Sequence, residues 1–257
     1  IWEDSRLTSW EVEKHDITYK IYYLQFRQGS GPSSKSPCNV DKVLTSYRGE
    51  YIYKDATVTD ETKNIKSKQF EEVIQPESYF DLTKVILGWS EIFPKFKTGS
   101  YTGNSDGTIS YNDFGAGVMF IPSGLAYYNS ATSSIPGYSP LIFSIKLYEV
   151  LRVDHDGDGI YSYQEDINGD GYVRTLGAGV SNPDNSDEIA VLLPNGKYSK
   201  SDAIPDYLDT DDDGDYYPTS FEIEMDHETH EKYPFDLIPT CGGTGNGKKK
   251  HLDPSCY

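Results

Sequence analysis

The chain has 257 residues, of which only 36% are hydrophobic, with 23 Gly, 22 Tyr and a formal net charge of -18. That length allows one full domain and a smaller partner, and a composition so rich in Gly and Tyr favours strands and loops over helical bundles. So acidic a chain is not built to grip a nucleic-acid backbone, and it lacks the run of about 18 apolar residues that a membrane-spanning helix needs.

In chain order, residues 1 to 16 (IWEDSRLTSWEVEKHD) form a charged leader that reads as one helix with Thr8 or Ser9 as its cap. The leader is taken as residues 1–19. The chain starts at Ile1 and shows no signal peptide, so a processed protein that has lost a leader or lipid anchor is expected. ITYKIYYLQF is β-rich and ends at the loop QGSGPSSKSP, and DKVLTSYRGEYIY reads as a second strand. VILGWSEIF reads as a strand end turning into a short helix that Pro94 limits. The NSDG turn at Asn104 to Gly107 predicts a hairpin within residues 97–117, and GVMFIP and LIFSIKLYEV are apolar enough for buried strands. The pattern is α+β, mostly antiparallel, over residues 20–152.

The charge then changes abruptly. Residues 154–236 hold 22 Asp and Glu against four Lys and Arg, whereas the rest of the chain holds 19 of each. Such self-repulsion opposes compaction unless cations enter, so residues 153–257 are either a metal-binding segment or a solvated tail. Cys241 and Cys256 flank a Gly-rich stretch without core residues, which a bridge between them would close; two unpaired thiols are the alternative, and Cys38 has no evident partner.

DHDGDGIYSYQE, residues 154–165, places oxygens where a 12-residue calcium loop takes them: Asp154, Asp156, Asp158, the Ile160 carbonyl, Ser162 and a bidentate Glu165, with Gly159 at the sharp turn. DINGDGYVRTLG repeats the pattern with Asp166, Asn168, Asp170 and the Tyr172 carbonyl, but its twelfth residue is Gly177, so a distant carboxylate must complete it. Because this loop begins directly after Glu165, a paired helix-loop-helix module is excluded. A third loop reads best from Asp211, with Asp213, Asp215, the Tyr217 carbonyl and Glu222, although Tyr216 then replaces the turn glycine. A frame from Asp209 keeps a glycine but puts Ser220 at position 12; Asp206 and Asp209 are also candidates for completing the second loop. His227 and His230 read as a surface pair or a weak transition-metal pair. The tandem loops resemble thrombospondin type 3 calcium repeats, in which neighbouring loops share ligands along an irregular chain.

VILGW (Val85 to Trp89), FIPSGLAYY (Phe120 to Tyr128) and SIPGYSPLIFSIKLYEV (Ser134 to Val150), preceded by SYRG (Ser46 to Gly49), resemble the ordered motifs of FKBP-type peptidyl-prolyl isomerases. The resemblance covers roughly residues 20–152. It implies a curved antiparallel sheet wrapped around a short helix, with an apolar pocket between them. Residue by residue, it implies Trp89 as the floor, Val85, Ile86 and Phe143 as walls, Tyr47 and Ile135 at the rim, and the Tyr127 hydroxyl aimed at a substrate carbonyl. The family's pocket acid falls here on Val58 and Thr59, with Asp60 just beyond, and the longer segment 97–117 is expected over the pocket. The expected function is isomerisation of proline-containing segments of exported client proteins, with structural calcium, in the periplasm or cell envelope. A protein-binding or chaperone-like module that has lost turnover, or an acidic spacer on an incidental isomerase fold, are the alternatives. The oligomeric state is not legible.

Overall fold

In the computed structural model, residues 3–173, 184–186, 191–201, 204–241 and 247–256 are described. Strict alternation shapes the first of them. In β1 (Leu7–Lys14), Trp10 and Val12 turn towards the core while Glu11 and Glu13 face solvent. His15 and Asp16, both with φ of 56°, make a two-residue turn into β2 (Ile17–Arg27), which pairs antiparallel with β1. The expected leader helix is therefore a strand, in which Trp10 and Val12 share one face and Glu11 and Glu13 the other, with period two rather than 3.6.

The remaining strands of this unit are β3 (Lys42–Lys54), β4 (Ile65–Val73), β5 (Phe80–Asp81), β6 (Ser100–Gly103), β7 (Ile109–Asn112), β8 (Gly115–Ile121) and β9 (Leu141–Leu151). A seven-stranded antiparallel sheet runs in the order β1-β2-β8-β9-β3-β4, with β5 paired to β3. The register shifts leave one extra residue in β2 (Phe26), in β9 (Tyr148, opposite Leu44/Thr45) and in β4 (Phe70, opposite Gly49/Glu50), bulges of the kind that bend strands.

Helix α1 (Leu87–Ile92) continues into a 3-10 turn, Phe93–Lys95, with Pro94 inside it. Trp89, Ile92, Phe93 and Phe96 from this segment join Ile21, Met119, Phe143, Ile145 and Leu147 of the sheet in one buried cluster. Trp10 fastens β1 to the same segment, since its Nε1 donates to Glu91 Oε2 at 2.8 Å and Lys95 Nζ lies 3.2 Å from its ring centroid. Helix and sheet approach closely at Gly88, where an added Cβ would sit 2.4 Å from Ile121 Cγ2. Gly88→Ala is accordingly expected to lower stability by about 1–3 kcal/mol, read as a shifted midpoint with unchanged slope in chemical denaturation.

β6 and β7 form a separate hairpin closed by Asn104, whose N–H donates to the Thr108 carbonyl at 2.8 Å, and by Gly107 at φ 85°. Tyr111 of this hairpin stacks on Tyr148 with centroids 4.7 Å apart and donates to Glu149 at 2.9 Å. Tyr148 in turn bonds Ser46 at 3.0 Å. In β3 and β9, Ser46 and Tyr148 alternate with Tyr47 and Leu147, which face the core. The hairpin is thus anchored on the outer face of the sheet and does not lie over the face that carries Tyr47 and Trp89, contrary to the sequence expectation.

The chain divides into two compact units, Ile1–Leu151 and Arg152–Tyr257. The second has little regular structure: α2 (Thr219–Glu222), the strand pair β10 (Glu224–Asp226) and β11 (Glu231–Lys232), and several 3-10 turns. Its small apolar cluster joins Ile160, Ile223 and Ile238, with Tyr233 and Phe235 packed against them. Cys241 and Cys256 are disulfide-bonded, and Cys38 is buried and outside any disulfide. No helix among the described residues is long and apolar enough to cross a membrane.

Candidate functional site

In the first unit, the aromatic residues converge on α1. Extended backbone at Ile86 leads into the helix, and one turn of it sets the Trp89 indole against Tyr47 of β3 and Phe143 of β9. Tyr47, Phe143, Phe93 and Phe80 meet the indole edge-on at centroid distances of 5.0, 5.1, 5.2 and 5.6 Å. Phe70 of β4 adds a ring edge-on to Phe143 at 5.7 Å. Trp89, Tyr47, Phe143 and Ile135 are buried, Val85, Ile86, Phe70 and Phe80 are half-buried against them, and Tyr127 is 41% exposed. The indole Nε1 is buried with no hydrogen-bond partner.

Two phenols and one carboxylate mark the polar side. Burial, then the hydrogen-bonded Glu71 carboxylate, push the Tyr47 hydroxyl well above the usual phenol range, with Tyr127 adding to the shift. Burial and the same carboxylate raise Tyr127. Tyr47 therefore meets Trp89 through its ring and bonds Glu71 through its hydroxyl, with Tyr127 as a neighbour. The positions to which the family's acid was carried are elsewhere: Asp60 caps a turn by accepting from Thr62 N and Oγ1, and Val58 N–H donates to the Asp55 carbonyl. Glu71, Phe70 and Phe80 were missed from sequence, because β4 and β5 carry no apolar alternation strong enough to announce a strand.

In the second unit, three loops repeat one hydrogen-bond scheme. The position-6 N–H donates to the position-1 carboxylate: Gly159 to Asp154 (3.0 Å), Gly171 to Asp166 (2.7 Å) and Tyr216 to Asp211 (3.1 Å). The position-7 N–H donates to position 5: Ile160 to Asp158 (2.7 Å), Tyr172 to Asp170 (2.9 Å) and Tyr217 to Asp215 (2.7 Å). The position-5 N–H donates to position 3: Asp158 to Asp156 (3.2 Å), Asp170 to Asn168 (2.8 Å) and Asp215 to Asp213 (3.1 Å). The third loop thus follows the frame from Asp211. Tyr216 takes the left-handed conformation, φ 79°, that Gly159 (107°) and Gly171 (89°) adopt at the same position. Asp209 stands just before this frame and accepts the Asp211 N–H at 3.1 Å.

These loops bring carboxylates together without protein donors to match. Asp154, Asp156 and Asp158 form one group and Asp211, Asp213 and Asp215 another, the ligand atoms in each lying within 4.8 Å of one another. Buried carboxylate oxygens of Asp156, Asp158, Glu165, Asp211, Asp213, Asp215 and Glu222 accept no hydrogen bond. Burial first, then neighbouring carboxylates, push Asp156 up to about 8 and Glu165 to about 10. The same causes raise Asp213 to about 8 and Glu222 to about 10. Asp158 and Asp215 rise to about 6 by burial, partly offset by the Ile160 and Tyr217 amides. Unsatisfied buried carboxylates are costly, and a set of hard oxygens around a tight turn fits a calcium-class cation.

Loop 2 is different. Among the described residues, Asp166, Asn168 and Asp170 join no carboxylate group, and Gly177 lies outside the described residues. Asp184 Oδ1 accepts the Ile167 N–H at 3.1 Å, taking the place held in loop 1 by Ser162 Oγ, which accepts from His155 N–H at 3.2 Å. Asp212, at position 2 of loop 3, was also missed, since the loop pattern assigns that position no ligand. His227 and His230 both bond the Glu224 carboxylate through Nδ1 at 2.8 Å, which accounts for their proximity.

The model of the family described as BamM C-terminal (BamM_C) matches residues 155–248. Among curated proteins, nothing matches the chain by sequence. The solved structures similar to it include a peptidyl-prolyl cis-trans isomerase from Pseudomonas syringae pv. tomato strain DC3000, 26% identical over 51% of this chain and 74% of that one, with a TM-score of 0.35. FkpA from Escherichia coli is 22% identical over 58% of this chain and 53% of its own, with a TM-score of 0.37, so the match spans about half of that protein. The N-terminal domain of FKBP42 from Arabidopsis thaliana is 13% identical over 51% of this chain and 86% of its own, with a TM-score of 0.34.

Proposed function

We propose that the first unit binds proline-containing segments of client proteins in the hollow around Trp89 and speeds rotation about the X-Pro bond, while the loops of the second unit hold calcium as part of their fold. The observation that carries the first half is the Trp89 ring enclosed by Tyr47, Phe80, Phe93 and Phe143, with the Tyr127 and Glu71 side chains on its exposed side. Rotation of the amide faces a barrier of about 18–20 kcal/mol from lost resonance. It needs neither nucleophile nor metal. An aromatic hollow that holds the twisted amide better than either planar form lowers that barrier by differential binding. In this reading Val85, Ile86, Ile135 and Phe143 grip the proline ring, and the Tyr127 hydroxyl donates to the preceding carbonyl.

A protease-coupled assay with the full chain, calcium and a proline-containing peptide tests this. Rate enhancement is the expected result. Its absence in a folded sample, with peptide still bound by calorimetry, would leave the domain a binding module. Glu71→Gln keeps the shape and removes the charge beside Tyr47, so kcat/KM is expected to fall roughly fivefold through a weakened charge-assisted hydrogen bond. The melting temperature should stay unchanged, as Glu71 is exposed.

Calcium is supported by the repeated loop geometry and the unpartnered buried carboxylates; when bound, it supplies positive charge and no chemistry. A location outside the cytoplasm, in the periplasm or cell envelope, is supported by the Cys241–Cys256 disulfide, which persists in oxidising compartments.

A further inference from the structure

We propose a second cation position in the acidic unit, held between loops 1 and 3 by Asp158, Glu165 and Asp212, and bridged through Asp158 to the position that Asp154, Asp156 and Asp158 surround. It rests on the reading that the loops hold calcium, and it adds an ion that the 12-residue pattern does not provide for. The two carboxylate groups share only Asp158. A single-ion loop would instead close Glu165 onto the first three aspartates.

Asp212 is the reason for a separate position. It is 1% exposed, and neither of its carboxylate oxygens has a hydrogen-bond partner. Its backbone is fixed from both sides: its N–H donates to Thr219 Oγ1 at 3.1 Å and its carbonyl accepts from the Ser186 hydroxyl. The side chain is therefore carried into the group by the loop's own framework, where it meets only other carboxylates, those of Asp158 and Glu165 and the neighbouring Asp206 and Asp156. Glu165 is 4% exposed, and both of its oxygens are likewise without partners. The oxygens of the three residues lie within 4.8 Å of one another, about the separation of ligands across an ion with bonds of about 2.4 Å.

Charge makes the same point. Asp154, Asp156, Asp158, Glu165, Asp206 and Asp212 carry six negative charges when ionised. One divalent ion leaves four of them uncompensated where repulsion is poorly screened. Two ions leave two. The ligand is a hard divalent cation of calcium size, completed by water, and its binding ties loop 3 to loop 1 while passing over loop 2.

Calcium stoichiometry of the full chain, by equilibrium dialysis and native mass spectrometry, tests the site. Asp212→Asn is expected to bind one calcium fewer than the wild type. Wild-type protein loaded with Mn2+ is expected to give the spin-coupled resonance signal of two ions a few ångströms apart, a readout that needs no variant and decides the matter if Asp212→Asn fails to fold. Calcium bound equally by wild type and Asp212→Asn, with only isolated Mn2+ signals at saturation, would overturn the bridged site and leave the loop sites standing. Wild-type protein that binds no calcium would overturn both.

Discussion

Stripping calcium from the full chain with a chelator is expected to unfold residues 152–257 and open them to protease while residues 1–151 keep their structure. The buried carboxylates of Asp156, Glu165, Asp213 and Glu222 are held far above their ordinary range by burial and by each other, so without cations the ionised fold works against itself at neutral pH. The apolar cluster of Ile160, Ile223 and Ile238 is small compensation. An ion present at a thousandfold excess over its Kd contributes about 4 kcal/mol. For a unit of this size that is a large part of the usual total of about 5–15 kcal/mol, and it corresponds to a melting shift of roughly 15–30 °C. Calorimetry with and without chelator measures it, and an unchanged transition would remove calcium from the account of the fold.

Trp89→Leu carries the second large effect. The indole is met edge-on by Tyr47, Phe80, Phe93 and Phe143, and such aromatic pairs contribute about 0.5–1.5 kcal/mol each beyond their burial. Replacing the ring with a shorter aliphatic group removes these contacts and leaves a void, for an expected loss of about 3–5 kcal/mol. The same change takes away the base of the hollow. Isomerase kcat/KM is expected to fall more than tenfold at a temperature where circular dichroism still shows the sheet. Activity that survives in the folded variant would place the substrate elsewhere.

Much of this was legible in the residues. LIFSIKLYEV and GVMFIP became the central strands β9 and β8, and VILGWSEIF became the short helix, because buried apolar runs and a limiting proline leave little choice. The turns of the loops were legible from the spacing of Asp, Asn and Gly; that Tyr216, standing where the others have glycine, takes the left-handed conformation was not. Other features were hidden for physical reasons. β1 was mistaken for a helix because Trp10 and Val12 are too few to outweigh their charged neighbours. β4 was passed over because it lies at a sheet edge with both faces largely exposed, so nothing selects an alternating pattern; Phe70 and Glu71 went with it. Asp212 and Asp184 act on loops remote from them in sequence, and local spacing carries no record of such pairings.

The Tyr111–Tyr148 stack fastens the extra hairpin to the back of the sheet, and this bears on what sort of guest the front can take. On the proposed reading, a client segment meets the Trp89 face of the sheet without this hairpin in its way.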